Sequence, residues 1–465
     1  MEGLQKLALV VSQGWFNNDP RHQLWSTTLR SVGWRVIEVE VVDEPVGFRD
    51  LIGADMCGDR LTVRVDRAAA SIDPSVPTVT STGRFIRSSD AVVVRGVALV
   101  GSMGFVPRLV VANDLHAGRG AVREWPGSTV VYDAHESFVA SFDMLDTQPM
   151  SADERSYWVG AEREVMLGSE VNVTVSPGLA SHHEKTIGVG SRVVPNYYPR
   201  TMGRTAEASQ SGPVRFVFVG RFDPHRGIDR LAGSWDVDPS VATLDMYLPD
   251  GPGRRYLEKI AGTGPGRARF KDAVDPAKII DTVASYDVGV IPYDYPHPYS
   301  EASPNKFGEY LAAGVAVMAN RQGFTSGVIE RFGLGAIFDW DDASSFESAI
   351  RRLGSRDCLT EIRENVAHAF ESELNWDVAV RPVIEELEMV HQAEGSGGVG
   401  VMADLHTHRE RFGPTIALRS WVIRAGLRTV RRSKAARSLV SRLHLLVVRV
   451  VGHVRASDPG ARSQK

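Results

Sequence analysis

The stretch Tyr299–Asn320 reads YSEASPNKFGEYLAAGVAVMAN. Three apolar side chains recur in it at helical spacing, Phe307, Tyr310 and Leu311, and they predict a helix with one buried face. The apolar run Val315–Ala319 follows, and it has the length and the branched residues of a buried strand. A helix next to a short buried strand is the repeating unit of a parallel α/β sheet.

The ends of this helix, predicted over Asn305–Ala313, are indicated by residue type. Ser303 can cap the helix, Pro304 suits its first turn, and Gly314 suits its end. The helix begins just beyond a predicted strand at Val288–Pro292. Its free backbone N–H groups should therefore point beyond the end of that strand, where they would stabilise an anionic phosphate.

The same alternation of short strands and longer helices extends over most of the chain. The strands show little polar alternation, which is typical of strands buried on both faces of a parallel sheet. The predicted strands are Leu7–Ser12, Arg35–Val42, Ala91–Val97, Arg108–Ala112, Thr129–Tyr132, Val171–Ser176, Val214–Val219, Thr243–Leu248, Val288–Pro292 and Val315–Ala319, and the predicted helices are Arg21–Gly33, Ala152–Gly168, Gly227–Trp235, Pro276–Ser285, Asn305–Ala313 and Ala343–Leu353. Two successive series of this kind predict an α/β protein with two doubly wound Rossmann-like domains that face each other across a cleft.

Domain boundaries follow from the segments that lack an apolar period. The stretch Gly203–Pro213 is small, polar and rich in helix breakers, so it is the predicted linker. It separates an N-terminal domain over 1–202 from a C-terminal domain over 214–374. A helix at 375–393 is predicted to pack back toward the N-terminal domain, and 394–465 should form a second linker and a basic, amphipathic helical tail.

Composition narrows the class of protein. The chain has 465 residues, more than one hydrophobic core usually serves, and its two cysteines are too few for a disulfide framework or a four-thiolate metal site. No run of eighteen apolar residues occurs, and a secretory signal peptide is not expected. The main body has no basic groove interleaved with aromatic residues, so a nucleic-acid partner is not expected. These features predict a cytoplasmic protein.

The C-terminal tail differs from the rest of the chain in its charge. Val401–Lys465 holds 14 Lys and Arg against three Asp and Glu, although the whole chain carries a net charge of −4. Over 415–455, arginines alternate with Ile, Leu, Val and Trp, which favours an interfacial helix on an anionic membrane surface. A helix pair packed on the body and a disordered arm that touches nucleic acid are the alternatives.

A second informative stretch is Val214–Leu231, which reads VRFVFVGRFDPHRGIDRL. Its predicted strand ends at Gly220, and Arg221 and Arg226 lie between that strand and the next helix. A glycine at a strand end lets the backbone approach a ligand, and two guanidinium groups beside a helix N-terminus suit a diphosphate. Taken alone, either arginine would more often be a solvated surface charge.

Polar residues also follow two predicted strands within Val110–Glu136, where the chain reads VVANDLHAG and VVYDAHES. Active-site residues collect beyond the ends of buried strands, although a lone histidine there is more often structural. The candidates are Asn113, Asp114, His116, Asp133, His135 and Glu136.

Together these motifs resemble the retaining GT-B glycosyltransferases of the family-4 type. The resemblance rests on GR-x4-RG at 220–227, on E-x7-E between Glu301 and Glu309, on VVYDAHE, and on Asn375-Trp376-Asp377 before a long helix. The motifs occur in the expected order and in the expected strand–loop–helix contexts, and the resemblance covers roughly Leu7 to Leu387. It implies that the C-terminal domain binds a nucleotide-diphosphate sugar and that the N-terminal domain binds the acceptor.

The resemblance also implies roles for single residues of the donor site. Arg221 and Arg226 would neutralise the donor diphosphate. Glu301 would hold donor-sugar hydroxyls, and Glu309 would hold the ribose. The loop after the first strand, at Gly14, would approach the donor phosphates from the opposite side. The implied donor site is completed by Gly220, Ser303, Pro304 and Asn305.

On the acceptor side, the family often has His-x-His after the fourth strand, and Asn113 stands at the second of these histidines here. The sugar-contacting role would then fall to His135 or His116, and we count His135 among the catalytic residues with Glu301 and the two arginines. The acceptor-side candidates are Asn113, Asp114, His116 and Glu136.

The implied reaction is retaining transfer of a sugar to a lipid-linked or glycan acceptor, in the synthesis of a cell-surface polysaccharide or glycolipid at the inner face of the membrane. Because arginines and a helix N-terminus can stabilise the leaving diphosphate, no metal ion and no cofactor is expected. Asp339-Trp340-Asp341 matches the Asp-x-Asp pair of metal-dependent transferases, but it lies where acidic residues cap a helix. A sugar-nucleotide epimerase and a catalytically inactive nucleotide-sugar-binding protein are the alternatives.

Overall fold

The computed structural model describes residues 6–14, 19–43, 52–65, 81–139, 150–205, 211–223, 226–294 and 299–395. The pattern of internal contacts divides the chain into two units, Met1–Glu385 and Glu386–Lys465. Both sheets lie in the first unit. The described part of the second unit is the end of one helix, so the tail predicted over 415–455 lies outside the described residues.

The first sheet has eight strands in the order β3-β4-β2-β1-β5-β6-β7-β8. Neighbouring strands are parallel except in the hairpin of β3 and β4. The strands are β1 Leu7–Gln13, β2 Arg35–Asp43, β3 Ile52–Cys57, β4 Arg60–Val65, β5 Leu109–Asn113, β6 Thr129–Ala134, β7 Val171–Thr174 and β8 Arg192–Val193. Every residue of β5 and β6 is buried, as expected for strands covered on both faces.

The second sheet has six strands, all parallel, in the order β11-β10-β9-β12-β13-β14. The strands are β9 Val214–Val219, β10 Ala242–Leu248, β11 Arg269–Asp272, β12 Val288–Ile291, β13 Ala316–Asn320 and β14 Gly335–Phe338. In both sheets the chain first builds strands to one side of a central strand and then crosses to build the other side. This order is that of a doubly wound sheet.

Helices connect the strands. Within the described ranges they are α1 Pro20–Ser31, α2 Ser81–Ser102, α3 Asp114–Glu124, α4 Ala152–Gly168, α5 Pro177–Ile187, α6 Ile228–Ser234, α7 Pro252–Ala261, α8 Ile279–Ala284, α9 Asn305–Ala312, α10 Gly323–Phe332, α11 Ala343–Leu353, α12 Arg356–Ser372 and α13 Trp376–Gly395. None of the helices in these ranges is long and apolar enough to cross a bilayer.

Most predicted elements are confirmed to within a few residues, and the two sheets confirm the predicted pair of Rossmann-like α/β domains. One predicted strand is wrong, because Ala91–Val97 lies inside α2. The branched residues of this run favour a strand locally, but Val93, Val97 and Val100 are buried at the spacing of one helical face. A Cβ atom on Gly96 would overlap β2, so α2 packs closely on the first sheet. Tertiary packing outweighs strand preference here.

Several shorter or more polar elements escaped the sequence analysis. They include the hairpin of β3 and β4, the edge strands β8, β11 and β14, and the helices α3, α5, α7, α10 and α12. Strand β11, for example, reads RFKD and has three exposed residues of four, so it lacks the apolar run by which buried strands are recognised.

Each sheet has an apolar core of its own, and fully buried tryptophans lie in both, Trp158 in the first and Trp235 in the second. After the last strand the chain returns to the first-sheet half. Trp376, at the start of α13, lies edge-on to Trp25 at 5.6 Å between ring centroids, and its indole N–H donates to the Thr28 hydroxyl at 2.7 Å. The helix predicted at 375–393 therefore begins against α1.

Candidate functional site

The second sheet reverses its strand order between β9 and β12. At such a switch point the following loops leave in opposite directions and open a crevice where ligands bind. Gly220 and Arg221 directly follow β9, and the loop after β12 leads to Glu301. A shallow pocket at this edge is lined, among others, by Tyr293 and Asn320, which follow β12 and end β13. Gly220, Arg221 and the loop that carries Glu301 therefore share one edge of the second sheet, whereas Gly14, also predicted to bind the donor, follows β1 of the first sheet.

The N-terminus of α9 faces this edge, but its cap differs from the prediction. Pro304 is the residue that caps α9, and no side chain of the described residues bonds to the first turn. Ser303, the predicted cap, instead accepts the backbone N–H of Asn196 at 3.3 Å, and the Asn196 amide donates to the Ser303 carbonyl at 2.7 Å. The Phe307 N–H donates to the Pro304 carbonyl at 2.9 Å, so the N–H groups of Asn305 and Lys306 are the ones in the first turn that stay available to a ligand. Gly314, with a left-handed φ of 70°, follows the helix as predicted.

Glu301 ends a short 3-10 turn, Tyr299–Glu301, between β12 and α9. Its side chain packs against Gly178 near the start of α5 and against Gly323 at the start of α10, since a Cβ atom on either glycine would overlap it. The positive ends of two helices, one following each sheet's strands, therefore converge on this carboxylate. Bare glycines at both helix starts leave the space that Glu301 occupies.

Glu309, the second glutamate of E-x7-E, is buried on α9. Burial raises the pKa of Glu309 above its ordinary value, although the charge of Lys306 and a hydrogen bond with the Tyr198 hydroxyl act in the opposite direction. Tyr198 lies in the segment that joins the two sheets. Glu309 is thus held against that segment from the same helix whose N-terminus faces the crevice.

The two predicted arginines lie differently. The Arg226 guanidinium pairs with Asp223 at 3.2 Å and lies over the Tyr293 ring at 5.4 Å, so it is held beside the pocket. Arg221 is exposed on the loop after β9. Gly227 has a left-handed φ of 61°, and a Cβ atom there would collide with the Pro292 carbonyl, which explains a glycine next to Arg226.

Lys306, in the first turn of α9, is a residue that the sequence analysis missed. Its ammonium lies 5.5 Å from the centre of the Phe218 ring and 5.9 Å from that of Tyr293. A Cβ atom on Gly220 would lie 2.8 Å from Lys306 Cε and 2.9 Å from Nζ. The sequence did contain a signal for this residue. A lysine in the first turn of a helix that begins near a strand end lies close to that strand end.

The first sheet reverses its order between β1 and β5. Gly14 follows β1 with a left-handed φ of 42°, and its N–H donates to the Val41 carbonyl at 2.9 Å. Asn113 ends β5 and is buried, and its amide donates to the Val11 carbonyl at 3.0 Å across the switch point. Asp114 follows with a φ of 63°, the one non-glycine residue in the described ranges with a left-handed backbone. Strain of this kind is common at functional sites.

A buried ion pair between Arg21 and Asp133 lies at the same edge of the first sheet. The Arg21 guanidinium forms two bonds of 2.7 Å to the carboxylate of Asp133, and the Trp25 indole donates to the same carboxylate at 2.6 Å. Burial alone would raise the pKa of Asp133, but Arg21 and His135 outweigh it and hold this pKa well below its ordinary value. Arg21 also donates to the Asn196 side chain at 3.0 Å. Asp133 is therefore a permanently charged, fixed acceptor.

His135 lies among three carboxylates at the same edge. Its Nε2 is 3.3 Å from Asp133 Oδ2, and its Nδ1 is 3.8 Å from an oxygen of Asp19 and from one of Asp114. Burial lowers the pKa of His135, but Asp114, Asp133 and Asp19 outweigh that effect and raise the pKa to about 9. The imidazole is therefore protonated near neutral pH, when both ring nitrogens donate.

The other acceptor-side candidates have different surroundings. His116 is buried, its Nδ1 lies 3.0 Å from Asp90, and its ring packs edge-on against Phe138 and Trp158. Glu136, next to His135 in sequence, is half-buried. Of the two histidines proposed for the sugar-contacting role, His135 is the one surrounded by carboxylates at the switch point.

Two groups could be considered for a metal ion. Asp19, His22 and His135 can bring ligand atoms within 4.8 Å of one another, but a metal would require His135 to lose the proton that its neighbours favour. At the Asp-x-Asp sequence, the Asp339 carboxylate accepts the backbone N–H of Asp341 at 2.9 Å. The following Asp342 caps α11 through the Ser344 N–H. The turn before α11 therefore uses the carboxylates of Asp339 and Asp342, and the cap itself is Asp342 and neither member of the Asp-x-Asp pair.

Comparisons with known proteins support the architecture. No protein-family model and no curated protein matches the sequence. Among solved structures, sucrose-phosphate synthase from Thermosynechococcus elongatus is similar with a TM-score of 0.62 at 16% identity, over 84% of this chain and 100% of that one. An alpha,alpha-trehalose 6-phosphate synthase from Burkholderia multivorans gives 0.59 at 13% identity, over 84% and 100%. WaaG, a glycosyltransferase involved in lipopolysaccharide biosynthesis, gives 0.55 at 14% identity, over 81% and 98%. These likenesses show that the chain has the GT-B fold that its motifs predicted.

Proposed function

We propose that this protein is a retaining glycosyltransferase that moves a sugar from a nucleotide-diphosphate sugar to a lipid-linked or glycan acceptor. One observation carries the proposal: Glu301, Arg226 and the uncapped N-terminus of α9 share the switch point of the second sheet. A carboxylate for hydroxyls, a guanidinium for phosphate and free N–H groups for an anion are the groups that a nucleotide sugar needs. The GT-B fold of the similar glycosyltransferases supports the same conclusion.

In the proposed reaction, the bond between the anomeric carbon and the diphosphate breaks as negative charge develops on the leaving group. Arg221, Arg226 and the helix N-terminus would stabilise that charge from fixed positions, which is the largest single source of catalysis in many enzymes. Glu301 would orient the donor sugar, and Glu309, held at the far end of the same motif, would bind the ribose. No metal ion is required for this step.

The first-sheet edge would receive the acceptor. Because His135 carries a proton near neutral pH, it can donate to a sugar hydroxyl but cannot remove the acceptor's proton. Retention places the acceptor hydroxyl on the face from which the diphosphate leaves, so a leaving phosphate oxygen would take that proton. Asp114 and Glu136 would hold further acceptor hydroxyls.

The experiment is incubation of the purified protein with uridine, guanosine and adenosine diphosphate sugars in EDTA, with release of nucleoside diphosphate as the readout. We expect one donor to be cleaved, slowly by water and faster with acceptor, and the product's anomeric proton coupling to match that of the donor. Inversion of configuration, loss of activity in EDTA, or binding without cleavage would each contradict a separate part of the proposal. The first two contradict retention and metal independence, and the third favours the inactive binding protein.

A further inference from the structure

We propose that Lys306 is a third cation of the donor site, which binds the diphosphate together with Arg226 and reaches it past Gly220. The inference rests on the proposed function, since it assigns a residue to the same nucleotide-sugar site. Neither the donor motif of two arginines nor the pair of glutamates includes this lysine.

The position of Lys306 places its charge inside the crevice. Its stem runs past the end of β9, where its Nζ would be 2.9 Å from a Cβ atom on Gly220. The Tyr293 ring is near two cations, with Lys306 Nζ at 5.9 Å and the Arg226 guanidinium at 5.4 Å from its centre. One cation comes from the loop after β9 and the other from α9, so they approach the switch point from its two sides.

The charge of Lys306 is less neutralised than that of its neighbours. Arg226 pairs with Asp223 at 3.2 Å, and Arg230 pairs with Asp294 at 2.9 Å. Lys306 forms no ion pair within 4 Å with any carboxylate of the described ranges, although its charge acts on Glu309 one turn further along α9. The Phe218 and Tyr293 rings lie beside its ammonium. A half-buried ammonium without a paired carboxylate keeps most of its attraction for an incoming anion.

Gly220 provides an independent test of this geometry. A methyl group at position 220 would occupy the space of the Lys306 stem and push the ammonium away from the strand end. If Lys306 binds the diphosphate there, Gly220→Ala should weaken diphosphate binding when Lys306 is present. It should have little further effect on diphosphate binding in Lys306→Met, because no ammonium is then left to displace.

The experiment is calorimetric titration of the full chain with UDP, GDP and ADP, with the matching nucleosides, and with inorganic pyrophosphate. The variants are Lys306→Met, Lys306→Arg and, as a matched control, Lys259→Met, an exposed lysine of α7. We expect Lys306→Met to lower the affinity for pyrophosphate, and for whichever nucleoside diphosphate binds best, by about 10- to 100-fold. This is the effect of losing one charged hydrogen bond. Nucleoside binding should be unchanged, and Lys306→Arg should recover part of the loss.

The outcomes separate the two proposals. Unchanged diphosphate affinity in Lys306→Met, or an equal loss in Lys259→Met, would overturn the role of Lys306 and leave the donor site standing. An equal loss for the nucleoside would also overturn it, because the lysine would then be supporting the fold of the site. Wild-type protein that binds no nucleoside diphosphate and no pyrophosphate would overturn both proposals. Additive effects of Gly220→Ala and Lys306→Met would contradict the predicted displacement.

Discussion

The two switch points of the first unit are built alike, but cations are concentrated at one and carboxylates at the other. In the second sheet, Arg221, Arg226 and Lys306 gather where β9 and β12 end. In the first sheet, three carboxylates surround His135 beyond β1, β5 and β6. The backbone topology is shared, so the side chains at the strand ends determine what each crevice attracts. A cationic crevice suits a diphosphate, and an acidic one suits hydroxyls and positive charge.

The first prediction tests how the acidic switch point is supported. Arg21→Met removes the two closest charged hydrogen bonds of the buried Asp133 carboxylate and leaves it the Trp25 indole and His135. This should lower the free energy of unfolding by about 3 kcal/mol, the lower end for breaking a buried ion pair. The matched control is Arg30→Met on the same helix, whose side chain is 38% exposed in its pair with Glu38 and should cost about 1 kcal/mol or less. Urea unfolding measures both. Equal losses would mean that the buried pair has no special role.

The second prediction concerns the protonated histidine of the same edge. The pKa of His135 in the folded protein, about 9, lies above the ordinary value of 6.5, so the folded state holds this proton more tightly. Its contribution to stability is therefore complete below pH 6.5 and is lost as the pH rises through 9, by about 1.4 kcal/mol per pH unit at most. Unfolding of wild type and His135→Gln between pH 6 and 9.5 should show a difference that shrinks as the pH rises. A constant difference would contradict the raised pKa.

The third prediction turns to the cationic switch point. Arg226→Ala should lower turnover on the order of 10²-fold, as expected for removal of one fixed group that stabilises the leaving diphosphate. Arg221→Ala is expected to act similarly. Arg255→Ala on α7, whose side chain is 62% exposed, is the control and should leave turnover unchanged. If Arg221→Ala and Arg226→Ala both turn over normally, the donor-site assignment is wrong.

These residues also show how much of the fold and of the candidate site could be predicted from the sequence. Buried strands such as β9 were recognisable because both of their faces are apolar, and the E-x7-E glutamates because they flank one helix start. The ion pair of Arg21 and Asp133 could not be recognised from the sequence, because 112 residues separate the partners. In the sequence, Arg21 resembles any charged residue on the surface of a helix. Ala91–Val97 was misassigned because its valines suit a strand as well as the inner face of a long helix.

The proposed donor site was only partly predictable from the sequence. Ser303 is a residue type that commonly caps helices. Its hydroxyl instead accepts a hydrogen bond from the backbone N–H of Asn196, in the segment between the sheets. Lys306 was overlooked because a single lysine in an amphipathic helix usually faces solvent. In both cases the deciding contact comes from a part of the chain that the local pattern does not contain.

The fourth prediction separates catalysis from binding at the cationic switch point. Glu301→Gln keeps the shape that fits between Gly178 and Gly323 but removes the charge at two helix N-termini. We expect turnover to fall on the order of tenfold, because the proposed partner of Glu301 is the donor sugar. Affinity for the nucleoside diphosphate should change little. Calorimetry with that nucleotide and initial rates with the full donor distinguish these effects, and an equal loss of both would place Glu301 at the phosphates.

The last prediction tests whether a third charged region, the basic tail, is independent of both switch points. Its 14 Lys and Arg against three acidic residues would bind anionic lipid headgroups, and the arginines are interleaved with apolar residues that can enter the acyl boundary. Truncation after Glu394 should leave nucleoside diphosphate affinity unchanged and abolish sedimentation with vesicles that contain phosphatidylglycerol. Neutral phosphatidylcholine vesicles are the control. Full-length protein that ignores anionic vesicles at low salt, where surface charges act most strongly, would contradict a membrane-bound acceptor site. Loss of nucleotide affinity on truncation would show instead that the tail supports the body.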